Sequence, residues 1–259
     1  MKKIVLVLLI FTFKISYTQQ SIKAIYKKEL VGYKTIKQDS FKTKSLSKLK
    51  QANNFIINRY NESSKTVKKL DFEFLINNDR SVFKVINVGL LQDEKGFSGA
   101  LVSGINLKGE YYSNSKEKKS IHKKELFGEQ FLVKQPFLKV NWNLKNETKK
   151  IGKFNCYKAT AILEETSSKG NKKTSKIVCW FTNEIATNLG PAGFNGLPGL
   201  IVRLEKGTTS LTLKNVLISN ELILIKEPTQ GIKMENQKEF EKKGKEMFYK
   251  HIGKRRNRN

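Results

Sequence analysis

Cysteine and histidine each occur only twice in 259 residues, and arginine supplies just six of the fifty basic side chains. Two cysteines cannot frame a disulfide-stapled small scaffold or a structural zinc cluster. His122 and His251 leave few general bases or metal ligands. Four prolines exclude a Pro-rich stalk or a collagen-like repeat. The longest apolar run, from Ile4 to Phe13, falls well short of the ~20 residues a membrane-spanning helix needs. Dinucleotide, P-loop, zinc-protease, Cys-x-x-Cys and EF-hand patterns are all missing. The nearest approach to a serine nucleophile elbow, Gly96-Phe97-Ser98-Gly99-Ala100, ends in alanine where glycine is required and reads as a turn. Asp71, Glu73, Glu164 and Glu184 are scattered, and no spacing singles out two of them for glycoside chemistry. The sequence therefore nominates no catalytic residue, no metal ligand and no cofactor.

What is present begins with an address. Lys2 and Lys3, the short apolar run, and the small residues Ser16 and Thr18 before Gln19 read as a signal peptide over residues 1–18. The expected mature chain, residues 19–259, is exported to the periplasm or beyond and is soluble there. The formal charge of +27 is carried by lysines spread along the whole chain, which fits solvated faces. An anionic partner such as lipid headgroups or acidic polysaccharide is the alternative. Nucleic acid is not expected, because bidentate phosphate and base recognition favours arginine. The basic tail Lys254-Arg255-Arg256-Asn257-Arg258 points instead to an anionic membrane surface.

Patterning predicts strands over residues 22–33, 107–114, 129–134, 138–144, 154–164, 174–181, 200–205, 210–217 and 221–227, and a hairpin of 70–76 with 81–88. Helices are predicted over 46–60 and about 234–251. With no repeat and no composition break, the expectation is one mainly β (α+β) domain, its sheet antiparallel, with a helix near each end. A hairpin register centred on Ser167 and Ser168 would set Cys156 opposite Cys179, making them a disulfide candidate in an oxidising compartment. Two separate buried thiols are the alternative, since a slip of one residue sends them to opposite faces.

The most distinctive stretch is Leu189-Gly190-Pro191-Ala192-Gly193-Phe194-Asn195-Gly196-Leu197-Pro198-Gly199-Leu200-Ile201. Pro198 suits position i+1 of a type II turn, and Gly199 would supply the positive φ of position i+2. Phe194, Leu197, Leu200 and Ile201 are too apolar to stand together in water, so the loop is expected to be ordered and packed. Here the sequence resembles the GLPGLI family of secreted Bacteroidetes proteins, to which no activity is attached. The resemblance runs through Trp142, Lys150-Ile151-Gly152, Cys156, Lys158-Ala159, Trp180-Phe181-Thr182, Glu184-Ile185, Gly190-Pro191 and Gly196 to Ile201. It departs at Ala186, where these proteins often carry proline. A more remote, fold-level likeness to LolA-like periplasmic lipoprotein carriers implies a single curved antiparallel sheet or open half-barrel with an apolar cavity. On that implication Trp142, Trp180, Phe194, Leu197 and Leu200 are the candidate ligand-binding residues. The function expected is a cell-envelope binding or carrier protein for a hydrophobic ligand. The alternative is an interaction subunit docking an outer-membrane receptor or export system, with a carboxylate hydrolase third.

Overall fold

The computed structural model describes residues 20–30, 46–87, 105–166 and 172–256. The expected signal peptide, the Gly96–Ala100 turn and residues 257–259 of the basic tail lie outside them.

Twelve strands form one open, curved sheet in the order β12-β6-β5-β4-β3-β2-β1-β11-β10-β9-β8-β7. It is built from two antiparallel meanders. The first comprises β1 (Ser21–Leu30), β2 (Phe72–Asn77), β3 (Arg80–Val85), β4 (Glu110–Asn114), β5 (Lys119–Leu126) and β6 (Glu129–Pro136). The second comprises β7 (Asn143–Ile151), β8 (Phe154–Thr166), β9 (Lys172–Thr182), β10 (Leu200–Lys206) and β11 (Thr209–Ser219). The meanders join where β1 pairs β11 along its full length, with one irregularity after Ile25. A three-residue strand, β12 (Ile232–Met234), adds in parallel to β6. β12 and β7 remain at opposite ends of the sheet, so it does not close into a barrel. Helix α1 (Leu46–Lys69) packs on β1, and helix α2 (Gln237–Arg256) packs on β6 and β12.

Both faces of the first meander are covered, and the alternation of side chains along each strand shows how. Phe72, Phe74 and Ile76 of β2, Phe83 of β3 and Tyr111 of β4 join the main core, while their neighbours Leu75, Val82 and Tyr112 join a second, smaller cluster. Since successive residues of a strand point to opposite faces, the two clusters lie on opposite sides of the same strands. The main core is shared with the buried end of α1, through Val67 and Tyr60, and with the motif residues Phe194, Leu197, Leu200 and Ile201. The second cluster is closed by residues 220–231, whose Ile223 and Ile225 face inward. These residues form an extended strap without a ladder partner, where a strand is predicted from sequence.

Other differences have similar causes. β5 escapes detection because Ser120, Ile121 and His122 are all buried, so a strand covered on both faces shows no period of two. β7 escapes for the opposite reason: all but its last residue are exposed, and the predicted strand at 138–144 overlaps it only at Asn143 and Leu144. Leu138 makes an isolated bridge to Phe194. Helix α1 runs nine residues past its expected end, through Ser63, Thr66 and Val67, poor helix formers that are nevertheless buried. At α2 the start is set by local bonding: Glu239 N–H donates to Asn236 Oδ1 at 3.0 Å, and the Glu239 carboxylate accepts from Glu235 N–H at 2.7 Å.

Candidate functional site

The Gly/Pro-rich motif leaves β9 and crosses to the other meander. Asn195 fixes it there. Its side chain is fully buried: Oδ1 accepts from Gly190 N–H at 2.9 Å, and Nδ2 donates to Phe137 O at 3.0 Å and to Ser113 Oγ at 3.2 Å. Ser113 Oγ lies 3.0 Å from Ser120 Oγ, extending the network into β5. The Asn195 carbonyl accepts from Trp142 Nε1 at 3.0 Å. Asn195 thus ties together both arms of its own loop, the 137–142 segment and β4. Sequence reasoning passed over it, although a lone amide amid Gly, Pro and apolar residues was the available signal.

The turn geometry differs from expectation. Gly199 does not have a positive φ; in the motif that conformation belongs to Ala192, Gly193 and Gly196, with Gly196 at φ 101°. Glycine is required at 199 for space, because a Cβ there would lie 2.1 Å from Thr182 O. Gly190 is under the same constraint, 2.1 Å from Phe194 O. The Leu200 N–H donates to Ile185 O at 3.0 Å as β10 begins. Pro191 is buried at the head of a short 3-10 turn, Pro191–Gly193, and Pro198 follows the buried Leu197.

Of the five expected ligand residues, Trp180, Phe194, Leu197 and Leu200 are buried in the main core and Trp142 is packed against it. The structure brings them into packing contact, and neither of the two best-formed hollows is lined by any of them. Trp180 sits between its cross-strand neighbours Lys158 and Arg203. The ammonium groups of Lys149 and Lys158 lie 4.0 and 5.7 Å from the centre of a Trp180 ring, so lysine stems shield the indole from water. Cys179 pairs with Ala159, and Cys156 lies three residues before Ala159 on β8, paired with Lys149 of β7. The register centred on Ser167 and Ser168 is therefore not formed. Both thiols are free and buried. Burial raises both thiols, Cys179 well above the ordinary range with the nearby Cys156 as a second cause.

The larger hollow is elsewhere. A cleft of about 380 Å³ opens at the strand ends of the first meander, between the β2–β3 turn (Asn77, Asn78, Asp79, Arg80), the β4–β5 turn (Asn114, Lys116, Glu117) and the strap (Leu224, Ile225). Its walls are braced by their own polar groups. Asn77 Nδ2 donates to Ile223 O at 2.7 Å, Ser115 N–H to Asp79 O at 2.7 Å, and Glu117 N–H to Asn114 Oδ1 at 3.1 Å. Asn77 Oδ1 is buried and has no hydrogen-bond partner. Lys119 and Glu227 form an ion pair at 2.5 Å that ties the strap to β5. The outer side of the strap carries exposed aliphatic residues, Leu222 at 66% and Leu224 at 76%, followed by the exposed Lys226, and the preceding Leu217 and Ile218 of β11 are exposed as well. No group of three or more His, Cys, Asp or Glu side chains placed to hold a metal ion occurs among the described residues.

Lys28 and His122 are buried ionisable groups that lie away from the cleft. Lys28, on β1, is fully buried; its Nζ donates to Ile105 O at 2.9 Å, and burial lowers its pKa to about 7. His122 is not the solvated residue its Lys-rich surroundings suggest. Its ring stacks on Tyr111 at 3.8 Å, Nε2 lies 2.7 Å from Lys108 O, and burial, aided by Lys124, holds its pKa well below the ordinary value.

The family model described as "Protein of unknown function (Porph_ging)" matches residues 163–203, a stretch that ends within β10 and contains the motif loop. No curated protein matches the chain. Among solved structures the chain is similar to PNGF-II, with a TM-score of 0.49 and 14% identity over 89% of this chain. The chain spans about a third of the PNGF-II chain, 33%. It is also similar to the Mycobacterium tuberculosis lipoprotein LppX, with a TM-score of 0.27 and 12% identity over 80% of this chain and 89% of that one.

Proposed function

We propose that this is an exported binding or carrier protein of the cell envelope, of the GLPGLI type. We place its ligand in the cleft between the hairpin turns and the strap. One observation carries the reading: the motif residues are used up in packing, whereas the cleft combines a polar lining with an exposed aliphatic wall. A ligand suited to it is an amphiphile. Its polar head would meet Asn77, Arg80, Asn114 and Lys116, and its apolar part would lie along Leu224 and Leu222. The hydrophobic ligand expected from sequence is thereby moved from the interior to the strap.

Asp79 and Glu117 line the same cleft, which gives the hydrolase reading one specific support. Both are exposed, however, and burial is what prepares a carboxyl to act as a general acid. Binding without chemistry is therefore the reading we adopt. Mass spectrometry of small molecules extracted from the protein, purified from its native envelope, tests it. An amphiphile recovered from the wild type but lost from Leu224→Asp and Arg80→Ala supports the cleft. Extracts equal to blanks, or recovery unchanged in both variants, overturn it.

A further inference from the structure

We propose that helix α2 is a docking surface for an anionic lipid membrane. The proposal concerns a different part of the molecule from the cleft and stands whether or not the cleft binds a ligand.

The helix has one face committed to the sheet. Phe240 stacks edge-on against Phe131 of β6 at 5.3 Å, Met247 packs on the same cluster, and Gly244 leaves room for Leu126. These three residues recur at spacings of four and three, one stripe of an α-helix. With ~100° per residue, Lys238, Lys242, Lys245 and Tyr249 fall within about 60° of one another on the opposite side. All four are exposed, Tyr249 at 72%. That outward stripe has three cations and no carboxylate. The three acidic residues of α2 lie on its flanks, each with a partner of its own. Glu239 accepts from Glu235 N–H at the helix start, Glu241 accepts from Gln237 Nε2 at 2.8 Å, and Glu246 faces Lys243 at 3.9 Å.

Two aromatic rings accompany the lysines. Phe248 is 50% exposed beside Tyr249, their rings 5.9 Å apart. Lysines around a small group of exposed aromatics are what an interfacial helix presents to a membrane: the ammoniums meet anionic headgroups while the rings enter the headgroup layer. A purely polyanionic partner would account for the lysines but not for the exposed aromatic pair beside them. The positive charge of the stripe selects an anionic over a zwitterionic surface.

Flotation with vesicles tests this, using the mature protein with dioleoylphosphatidylcholine alone and with 30% dioleoylphosphatidylglycerol. The wild type is expected to bind the anionic vesicles at least tenfold more tightly and to lose most of that binding in 0.5 M salt. Lys238→Gln with Lys242→Gln and Lys245→Gln should weaken binding at least tenfold, and Phe248→Ser with Tyr249→Ser about fivefold. A control removing the same charge elsewhere, Lys145→Gln with Lys150→Gln and Lys214→Gln, should bind as the wild type does. Circular dichroism confirms that each variant keeps its helix content. Equal binding to neutral vesicles, no binding at all, or equal losses in the two triple variants would overturn the proposal. So would competition by a soluble polyanion that leaves the aromatic variant unaffected, which assigns the stripe to a polyanion. Self-association abolished by the same aromatic changes would assign it to a second copy of the chain.

Discussion

The first meander carries two long covers, one on each face, and they are built on opposite terms. The motif loop is closed. Its apolar side chains are buried, its amide anchor Asn195 is fully satisfied, and two of its glycines are squeezed against backbone carbonyls. The strap is only half closed: Ile223 and Ile225 face the sheet while Leu222 and Leu224 face water, and the cleft lies under its edge. A distinctive sequence motif here marks the more tightly packed cover, and the ligand surface we propose lies under the plainer one. Substitutions that treat the two covers differently are therefore the sharpest way to test that division.

The most direct test of the closed cover is at Gly199, among the largest effects expected. Adding one methyl group in Gly199→Ala forces Cβ to 2.1 Å from Thr182 O, so β9 or β10 must move. Overpacking of this kind costs about 3 kcal/mol. For a chain of this size that lowers the melting temperature by roughly 6–12 °C. A variant melting within a degree of the wild type would show that the loop does not press on β9, and the contrast between the covers would collapse.

Asn195→Ala should have an effect of similar size. It leaves the buried Gly190 N–H and Phe137 carbonyl without partners, for a loss of about 2–4 kcal/mol. Asn195→Asp is the informative companion. It keeps the acceptor for Gly190 and removes the donor to Phe137, so it should not rescue stability. Urea unfolding of the two variants decides the matter; an Asp variant as stable as the wild type would mean that the Phe137 contact is dispensable.

Acid distinguishes the covers in a second way, because His122 lies on the motif-loop face, stacked on Tyr111, which in turn meets Gly193. Its folded pKa is depressed, so below the ordinary histidine pKa of ~6.5 the unfolded chain binds a proton that the native state refuses. Stability should fall as pH drops from 7 towards 5, and His122→Phe should flatten that limb. Lys28 acts higher on the scale. Its pKa falls from 10.5 to about 7, so the unfolded chain holds the extra proton between those values and stability rises with pH above 7. The rise should be visible up to roughly pH 9, where the raised pKa values of Cys179, Tyr26 and Tyr111 begin to oppose it. Lys28→Met should remove the rise between pH 7 and 8 and leave only the smaller one that begins near pH 8, where Lys124, lowered to about 8 by burial, contributes with the same sign.

The unequal legibility of the covers in the sequence has a physical cause. The β2–β3 hairpin and the β8–β9 pair could be read because one face is more buried than the other, which leaves a period of two. The motif loop could be read because close backbone approach admits only glycine, while proline fixes φ at its turns. Its mechanism at Gly199 could not, because positive φ and lack of space leave the same residue in the sequence. β5 was hidden by burial on both faces and β7 by burial on neither. The strap looked like a strand since Leu222 to Ile225 alternates in burial, but no neighbouring edge offers it a ladder. The cleft was illegible for a simpler reason. Its walls come from residues 77–80, 114–117 and 224–225, which only the meander brings together.

The smallest effect on stability should come from the strap's outer surface, and it carries the most functional weight. Leu224 is 76% exposed, so Leu224→Asp removes little buried area and should change stability by no more than about 0.5 kcal/mol. Ile225→Ala on the inner side is its structural counterpart: Ile225 is buried against Tyr112, Ile121 and Leu132, and its truncation should cost about 2–4 kcal/mol. The two neighbours therefore separate cover from site. If Leu224→Asp keeps its melting temperature while the amphiphile extracted with the wild type disappears, the strap's outer side is a binding surface. If Leu224→Asp destabilises the protein as much as Ile225→Ala does, both sides of the strap are packing. The strap would then be as closed as the motif loop, and the ligand would have to be sought on another surface.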